Sequence, residues 1–232
     1  MLSKSAAKKF FLIGTVVCSG CFVLLTVDTV QKVPQQSHAE NITPEVIHGK
    51  DLWDHNNCMG CHTIMGEGAY YAPELTKVYE RRGPIFIKSM LKDPQAMFPG
   101  QRNMQKYNFT ETEIDSLVAF LKWIGEVDLN GFPKKPDLVP AAPTANTAQL
   151  SELPLPTKPA VFDQVCVACH ALQGKGGAVG PVLDGVGNRR NHDFLVSWLK
   201  DPLAVKADSK MPKLPLTDEQ VQELANFLSQ LK

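Results

Sequence analysis

The sequence predicts an all-α protein in which one N-terminal membrane helix precedes two copies of a small helical domain. Three observations predict it: an apolar run near the N-terminus, a segment that recurs about 108 residues further on, and apolar residues at helical spacing near the end of each copy. The length of 232 residues is enough for one or two domains. The 24 basic and 24 acidic residues balance, so the charge gives no indication of a nucleic-acid partner.

The apolar run is Phe10–Val27, eighteen residues without a charged side chain. As a helix it would rise about 27 Å, close to the ~30 Å thickness of the hydrocarbon core of a bilayer. Three lysines precede the run and only Lys32 follows closely, a bias that leaves the N-terminus in the cytoplasm. We therefore predict a single-pass anchor within residues 1–32 in the cell inner membrane, with the rest of the chain in the periplasm.

Two alternatives for this segment stay open. A cleaved signal peptide has a similar Lys-rich start, and Ser37–Ala39 resembles a cleavage site, but it lies about ten residues beyond the apolar run. A lipoprotein is the second alternative, because small residues precede Cys21, although Cys18 stands where an aliphatic residue is expected. The uncleaved anchor agrees best with the length of the run.

Two Cys-x-x-Cys-His pentads, Cys58–His62 and Cys166–His170, carry the chemistry. This pentad is the attachment motif for c-type haem, in which the thiols add to the vinyl groups and the histidine supplies one axial nitrogen to iron. A lone Cys-x-x-Cys also occurs in zinc sites and redox dithiols. Cys18–Cys21 has that spacing without the histidine, so we expect no haem there. We predict two covalently bound haems c, attached through Cys58, Cys61, Cys166 and Cys169.

The pentads belong to a longer repeat, which distinguishes them from chance matches. Pro73 and Pro181 are also 108 residues apart, and the letters LKDP at Leu91–Pro94 recur at Leu199–Pro202. After the loss of one residue, the offset is 107 up to the end of each copy. A fixed offset indicates a repeated structural unit.

The repeat sets the predicted domain boundaries. The first domain is expected at residues 33–130 and the second at residues 159–232. The Pro-rich segment between them, residues 131–158, is predicted to be an extended linker, up to roughly 80 Å long at ~3.1 Å per residue. Such a linker would let the second domain swing relative to the first.

The sixth ligand of each iron is predicted from the repeat as well. Met104 and Met211 each lie six residues before a threonine, Thr110 or Thr217, that opens a terminal helix in a capping-box pattern. A thioether at this position raises the reduction potential of the iron. Met97 is the rival to Met104, whereas the second copy contains no other methionine. We predict His62 with Met104 at the first iron and His170 with Met211 at the second.

Pro73 and Pro181 follow their pentad histidines by eleven residues. A backbone carbonyl near such a proline can accept the hydrogen bond of the ring nitrogen that does not bind iron, which fixes the orientation of the ring. The alternative is a proline that only shapes a turn. The shared offset favours the supporting role.

The segment His48–Leu75, with the letters GEGAYYAPEL at its end, and the helical pattern at Phe109–Ile124 stand behind a single membrane helix. Together they closely resemble the cytochrome c subunit, or C subunit, of bacterial cytochrome-c-dependent nitric oxide reductase, over about residues 1–138. The second copy resembles a generic class I cytochrome c. The fold class implied is therefore all-α, with one transmembrane helix followed by two class I cytochrome c domains.

The resemblance implies a subunit that is not itself catalytic. Electrons would come from a periplasmic donor, a soluble cytochrome c or a cupredoxin, and pass to an integral-membrane catalytic subunit with b-type haems that reduces NO to nitrous oxide. Because the family ordinarily ends after one haem domain, the tethered second domain is expected to act as an internal donor at raised effective concentration.

The resemblance also implies a calcium ion at the interface between the two subunits. Backbone oxygens of the stretch that contains Gly68 and Tyr70 would bind it, and carbonyl oxygens are ligands that calcium accepts. The alternative is a Gly-rich loop that only wraps the haem edge.

Three other functions compete with this one. The di-haem subunit of a haem–copper oxygen reductase also joins a membrane anchor to two c-type domains, but the letters GEGAYYAPEL argue against it. A free-standing membrane-tethered electron shuttle needs no catalytic partner. A di-haem peroxidase needs an accessible position at one iron, and a methionine at both sixth sites argues against that.

Overall fold

The computed structural model describes residues 3–101, 104–134 and 156–232. Within these ranges the chain is mainly helical, with very short hairpins, which confirms the predicted all-α class. Most of the predicted linker at residues 131–158 lies outside the described residues, so its conformation and the exact domain boundaries stay predictions.

The N-terminal helix α1 is Lys4–Gln36, and none of its residues is buried. It begins where the hydroxyl of Ser3 accepts a hydrogen bond from the backbone N–H of Ala6 at 3.2 Å. Its 33 residues extend about 50 Å at ~1.5 Å per residue, more than the hydrocarbon core of a bilayer requires. By length and composition α1 can cross a membrane, although a signal sequence near an N-terminus meets the same criteria.

The first domain contains α2 (Pro44–His55), the hairpin of β1 (Thr63–Ile64) and β2 (Glu67–Gly68), α3 (Val78–Lys92), α4 (Pro94–Met97) and α5 (Glu111–Glu126). Its core forms where α2 crosses α5. Phe120 on α5 is fully buried, and its ring centroid lies 5.9 Å from that of Trp53 on α2. Gly49 permits this close crossing, because a Cβ there would come within 2.1 Å of the Ser116 carbonyl oxygen.

The second domain repeats this arrangement with α6 (Ala160–Val165), the hairpin of β3 (Ala171–Leu172) and β4 (Lys175–Gly176), α7 (Val186–Arg189), α8 (His192–Lys200), α9 (Pro202–Val205) and α10 (Asp218–Ser229). Phe227 on α10 is the counterpart of Phe120 at the offset of 107. It meets Phe162 of α6 edge to face at 5.0 Å, and both rings are buried. The second domain thus has an aromatic core of its own.

Both terminal helices begin at the capping boxes that the sequence predicted. In α5 the backbone N–H of Thr110 donates to the Glu113 carboxylate at 2.7 Å, while the Thr110 hydroxyl accepts from the backbone N–H of Glu113 at 3.3 Å. Thr217 and Gln220 form the same pair in α10. Each terminal helix therefore begins at the same distance from the methionine that precedes it.

Matching ion pairs hold the loops that carry those methionines. The Asp93 carboxylate caps α4 and accepts from Lys106 at 2.7 Å, and the Asp201 carboxylate caps α9 and accepts from Lys213 at 3.0 Å. These lysine hydrogen bonds lower the pKa of both carboxyl groups. The segment after each short helix is thereby tied to its start in the same way in both copies.

The end of α1 is bonded directly to the first domain. The indole N–H of Trp123 on α5 donates to the Ser37 carbonyl oxygen at 2.9 Å. The backbone N–H of Asp128 donates to the Gln36 carbonyl oxygen, also at 2.9 Å. The first domain is therefore joined to the candidate membrane helix by hydrogen bonds as well as by the chain itself.

We predict that Phe120→Ala destabilises the first domain by about 3–5 kcal/mol, because it leaves a cavity in a fully buried site. Thermal unfolding of the intact protein in detergent would measure the loss. Lys122→Ala on the same helix is the control, since its exposed ion pair with Glu126 contributes less than about 0.5 kcal/mol. Equal effects of the two variants would contradict the proposed core.

Candidate functional site

Each pentad folds as a short 3-10 turn at the end of a helix, Cys58–Gly60 after α2 and Cys166–Ala168 after α6. The backbone N–H of His62 donates to the Cys58 carbonyl oxygen at 2.9 Å, and the N–H of His170 donates to the Cys166 carbonyl oxygen at the same distance. The turn therefore places the histidine one helical turn beyond the first cysteine of its pentad. The two copies share this local geometry.

The ring of each pentad histidine is held from one side. Nδ1 of His62 donates to the Pro73 carbonyl oxygen at 2.8 Å, and Nδ1 of His170 donates to the Pro181 carbonyl oxygen at 2.7 Å. A carbonyl oxygen only accepts, so Nδ1 carries the proton in both rings. Nε2 is left as the nitrogen that can bind a metal.

The hairpin that follows each pentad folds back onto the pentad backbone. Gly68 has φ +119, and a Cβ there would lie 2.3 Å from the His62 carbonyl oxygen. Gly176 has φ +122 and would place a Cβ 2.2 Å from the His170 carbonyl oxygen. Only glycine fits such an approach, so the glycines have a structural reason in both copies. Tyr70, two residues after Gly68, has a side chain that is 85% exposed.

A cavity of about 960 Å³ opens beside the second pentad, within the size range of cofactor pockets. Gly180 lets the wall approach the ring of His170, because a Cβ there would lie 2.4 Å from its Cε1 atom. The lining includes both pentad cysteines, the pentad histidine and the predicted sixth ligand, namely Cys166, Cys169, His170 and Met211. The structure thus brings all four predicted ligand and attachment residues of the second site to one cavity.

Trp198 is a residue of this site that the sequence did not indicate. Its indole N–H lies 3.1 Å from the Met211 sulfur, and both residues line the cavity. Sulfur is a weak acceptor, so the contact orients the thioether more than it stabilises the fold. At the offset of 108 the counterpart of Trp198 is Met90, which explains why comparison of the two copies gave no signal.

At the first site, Met104 is half-buried in the segment between α4 and α5. Three residues later, Tyr107 stacks on Phe109 with ring centroids 5.1 Å apart. Burial raises the pKa of the Tyr107 phenol, whereas a hydrogen bond with Gln105 lowers it. Phe109 and Cys58 pack against the same core, so this segment passes close to the first pentad.

Met97, the rival to Met104, lies at the other site. Its side chain is 3% exposed and lines the cavity of the second domain, and its carbonyl oxygen is 3.9 Å from Sγ of Cys169. Met104 accordingly remains the predicted ligand of the first iron.

The first cysteine of each pentad, Cys58 or Cys166, is partly buried. Burial, with a smaller contribution from Cys61, raises the pKa of Cys58 to about 11, and burial with Cys169 raises the pKa of Cys166 to about 12. A redox dithiol is activated by a lowered thiol pKa, and neither Cys58 nor Cys166 has one. All six cysteines lie in the described residues, and no disulfide joins any two of them.

A buried donor also fits a bound cofactor at the first site. The indole N–H of Trp53 is buried without a hydrogen-bond partner among the described residues. Its ring centroid lies 6.3 Å from that of His62. An unpaired donor of this kind is costly to bury, and a polar group of a haem held by the first pentad would satisfy it. The residues present therefore fit haem c.

Two helical domains, each with a Cys-x-x-Cys-His turn and a supported histidine, define a c-type cytochrome. The family model described as Cytochrome c matches residues 46–125 and 159–232, and the chain belongs to that family. The two matched segments agree with the two copies predicted from the sequence.

Within this family, the chain is similar to proteins named as the C subunit of nitric oxide reductase. This similarity confirms the resemblance stated in the sequence analysis. The protein of Stutzerimonas stutzeri is 37% identical over 136 residues, which is 56% of this chain and 93% of the relative. The protein of Halomonas halodenitrificans is 35% identical over 144 residues, 58% of this chain and 96% of the relative. A protein of Alkalihalophilus pseudofirmus named cytochrome c oxidase subunit 2 is 33% identical over 82 residues, 31% of this chain and 24% of its own length.

We predict that Met211→Leu lowers the reduction potential of one haem and leaves the other unchanged, because a thioether ligand raises the potential. The charge-transfer band of methionine-bound ferric haem should lose about half its intensity in the same variant. Met90→Leu, at the position equivalent to Trp198, is the control and should change neither quantity. An unaltered potential in Met211→Leu would exclude Met211 as the ligand.

Proposed function

We propose that this chain is the membrane-anchored di-haem electron-transfer subunit of a nitric oxide reductase complex. It would relay electrons from a periplasmic donor to a catalytic membrane subunit with b-type haems. The observation that carries the proposal is that Nδ1 of both pentad histidines donates to a carbonyl oxygen, at 2.8 and 2.7 Å. The chain also covers nearly the whole length of its nitric oxide reductase relatives. Two equally supported iron ligands suit two electron carriers rather than one.

The residues have separate tasks in this function. The thiols of each pentad would hold the macrocycle covalently, and the neighbouring histidine would supply one axial nitrogen. When bound, haem c supplies an iron that accepts and releases one electron. Met104 and Met211 would occupy the sixth position and so keep small molecules away from the iron. No residue of the chain is assigned a catalytic role; NO reduction belongs to the partner subunit.

The junction between α1 and α5 supports an order of transfer. Because hydrogen bonds from Trp123 and Asp128 join the first domain to the end of α1, this domain would lie next to the membrane and to the catalytic partner. The second domain would then receive electrons first from a soluble cytochrome c or a cupredoxin. The chain would have its N-terminus in the cytoplasm and both haem domains in the periplasm, anchored in the inner membrane.

The calcium ion remains a part of this proposal that rests on the resemblance. Gly68 and Tyr70 would offer backbone oxygens to it at the subunit interface, and the exposed side chain of Tyr70 is compatible with a contact to a partner.

A second candidate function is that of a haem–copper oxygen reductase subunit. The partial similarity to a protein named cytochrome c oxidase subunit 2 favours it, but that similarity covers only 24% of the relative.

Purification of the protein from its native membrane in mild detergent tests the assignment. We expect two c haems per chain in the pyridine haemochrome spectrum, b haems in a co-purifying membrane subunit, and NO consumption driven by a reduced donor. Oxygen consumption without NO turnover would favour the oxygen reductase, and two c haems without a partner would favour the free-standing shuttle.

The order of transfer has its own test. In the variant Cys166→Ser/Cys169→Ser the second haem cannot attach, and we expect stopped-flow reduction of the first haem by the donor to slow, because its internal donor is gone. The control is Cys18→Ser/Cys21→Ser, which should retain both haems and the wild-type rate, since that motif lacks a histidine. Equally fast reduction of the first haem in both variants would contradict the order.

A further inference from the structure

The sequence predicted a linker that would let the second domain swing, yet the two domains contact each other along α3 and α6. Helix α3 has two apolar faces. Ile87 lies in the core of the first domain, whereas Ile85 and Phe86 pack against the core of the second. The guanidinium of Arg82 covers the Phe86 ring at 5.2 Å. A helix of the first domain therefore completes the apolar surface of the second.

Comparison of the two copies shows a local adaptation at this contact. Gly83, at the kink of α3, has φ +68, and a Cβ there would lie 2.6 Å from Oε1 of Gln164 on α6. Its counterpart is Asn191, which has φ −78 and whose side chain caps α8 by accepting from the backbone N–H of Phe194 at 2.9 Å. Gly83 thus adopts a left-handed conformation that its counterpart does not need, and it lies against the Gln164 side chain of the other domain.

The same contact brings the end of α4 to the second pentad. Met97, Pro99 and Gln101 of the first domain line the cavity that also contains Cys169 and the other second-site residues. Met97 is 3% exposed, whereas its counterpart Val205 is 39% exposed. The first domain therefore lies against the side of the cavity that carries the partly exposed Cys169 thiol.

We propose that the two domains form one docked unit, in which the Met97–Gln101 segment of the first domain is a wall of the second haem pocket. This inference rests on the proposed function in that the second pentad holds a haem. The wall excludes water from the edge attached at Cys169 and thereby raises the reduction potential at this site. It also makes that edge the junction with the first domain, so a soluble donor must approach the second domain from another side.

Two variants of the full-length protein test the two parts of this inference. Ile85→Ser/Phe86→Ser removes the apolar contact and leaves the core of the first domain intact. Met97→Ser leaves the contact but makes the wall polar. Lys88→Ala is the matched control on α3, because Lys88 pairs with Asp115 of its own domain.

Hydrogen–deuterium exchange measures docking without any need for haem. We expect amide exchange in α6 to quicken about tenfold or more in the double variant, since two apolar side chains lose their burial. Exchange in α5 should stay unchanged, which would show that the first domain is folded. Exchange in α6 that is as fast in the wild type as in the double variant would overturn the docked unit.

Potentiometric titration measures the effect of the Met97–Gln101 wall on the reduction potential of the second haem. We expect the potential of the second haem to fall in both variants and that of the first haem to stay constant, whereas Lys88→Ala should change neither. Unchanged reduction potentials in both variants would overturn the proposal that the wall shields the second haem from water. This would hold even if the exchange data confirm that the domains are docked. A pyridine haemochrome spectrum with a single c haem would refute the di-haem function itself, while the exchange data would still decide the docking.

Discussion

The hydrogen bond from Nδ1 of each pentad histidine to a carbonyl oxygen eleven residues later is the interaction on which the rest of the structure depends. It closes a loop over the pentad turn and determines which ring nitrogen can bind iron. The hairpin glycines and the prolines are arranged around this bond, because the chain must pass close to the histidine backbone and then return to its ring. In the second domain, the capped loop brings Met211 to the cavity that also contains His170.

The two domains reach this common plan with different side chains. In the second hairpin, the Asp184 carboxylate accepts the hydrogen bond from the backbone N–H of Gln173 at 3.0 Å. In the first, the hydroxyl of Thr76 accepts from the backbone N–H of Met65 at 2.7 Å, and Glu74 binds Thr76 in turn. The Asp184 carboxylate of the second copy is thus replaced in the first by the Thr76 hydroxyl, which is hydrogen-bonded to the Glu74 carboxylate. The hydrogen-bond geometry is kept although the residues differ.

The first domain lies between two contacts, one at the end of α1 and one on α6. Trp123 and Asp128 bond to the last residues around α1, and Ile85 and Phe86 pack against the second domain. A relay needs fixed distances between its carriers, and these contacts would supply them without relying on the linker. In the proposed docked unit, the position of the second domain would be set by these side chains and not by the linker.

The sequence by itself determined the helical class and the two cytochrome c segments, and it predicted the attachment residues. These features depend on the spacing of residues in the sequence. Two thiols and a histidine must lie within one turn, and the whole unit recurs at a fixed offset. The capping boxes at Thr110 and Thr217 could also be predicted, because each depends on residues only three positions apart. Only the tertiary structure decided that Met97 lines the cavity of the second domain and that Trp198 contacts Met211. It also decided that Ile85 and Phe86 of α3 pack against the second domain. These three features depend on contacts between residues that are far apart in the chain. Neither apolar spacing nor a sequence motif indicates such contacts.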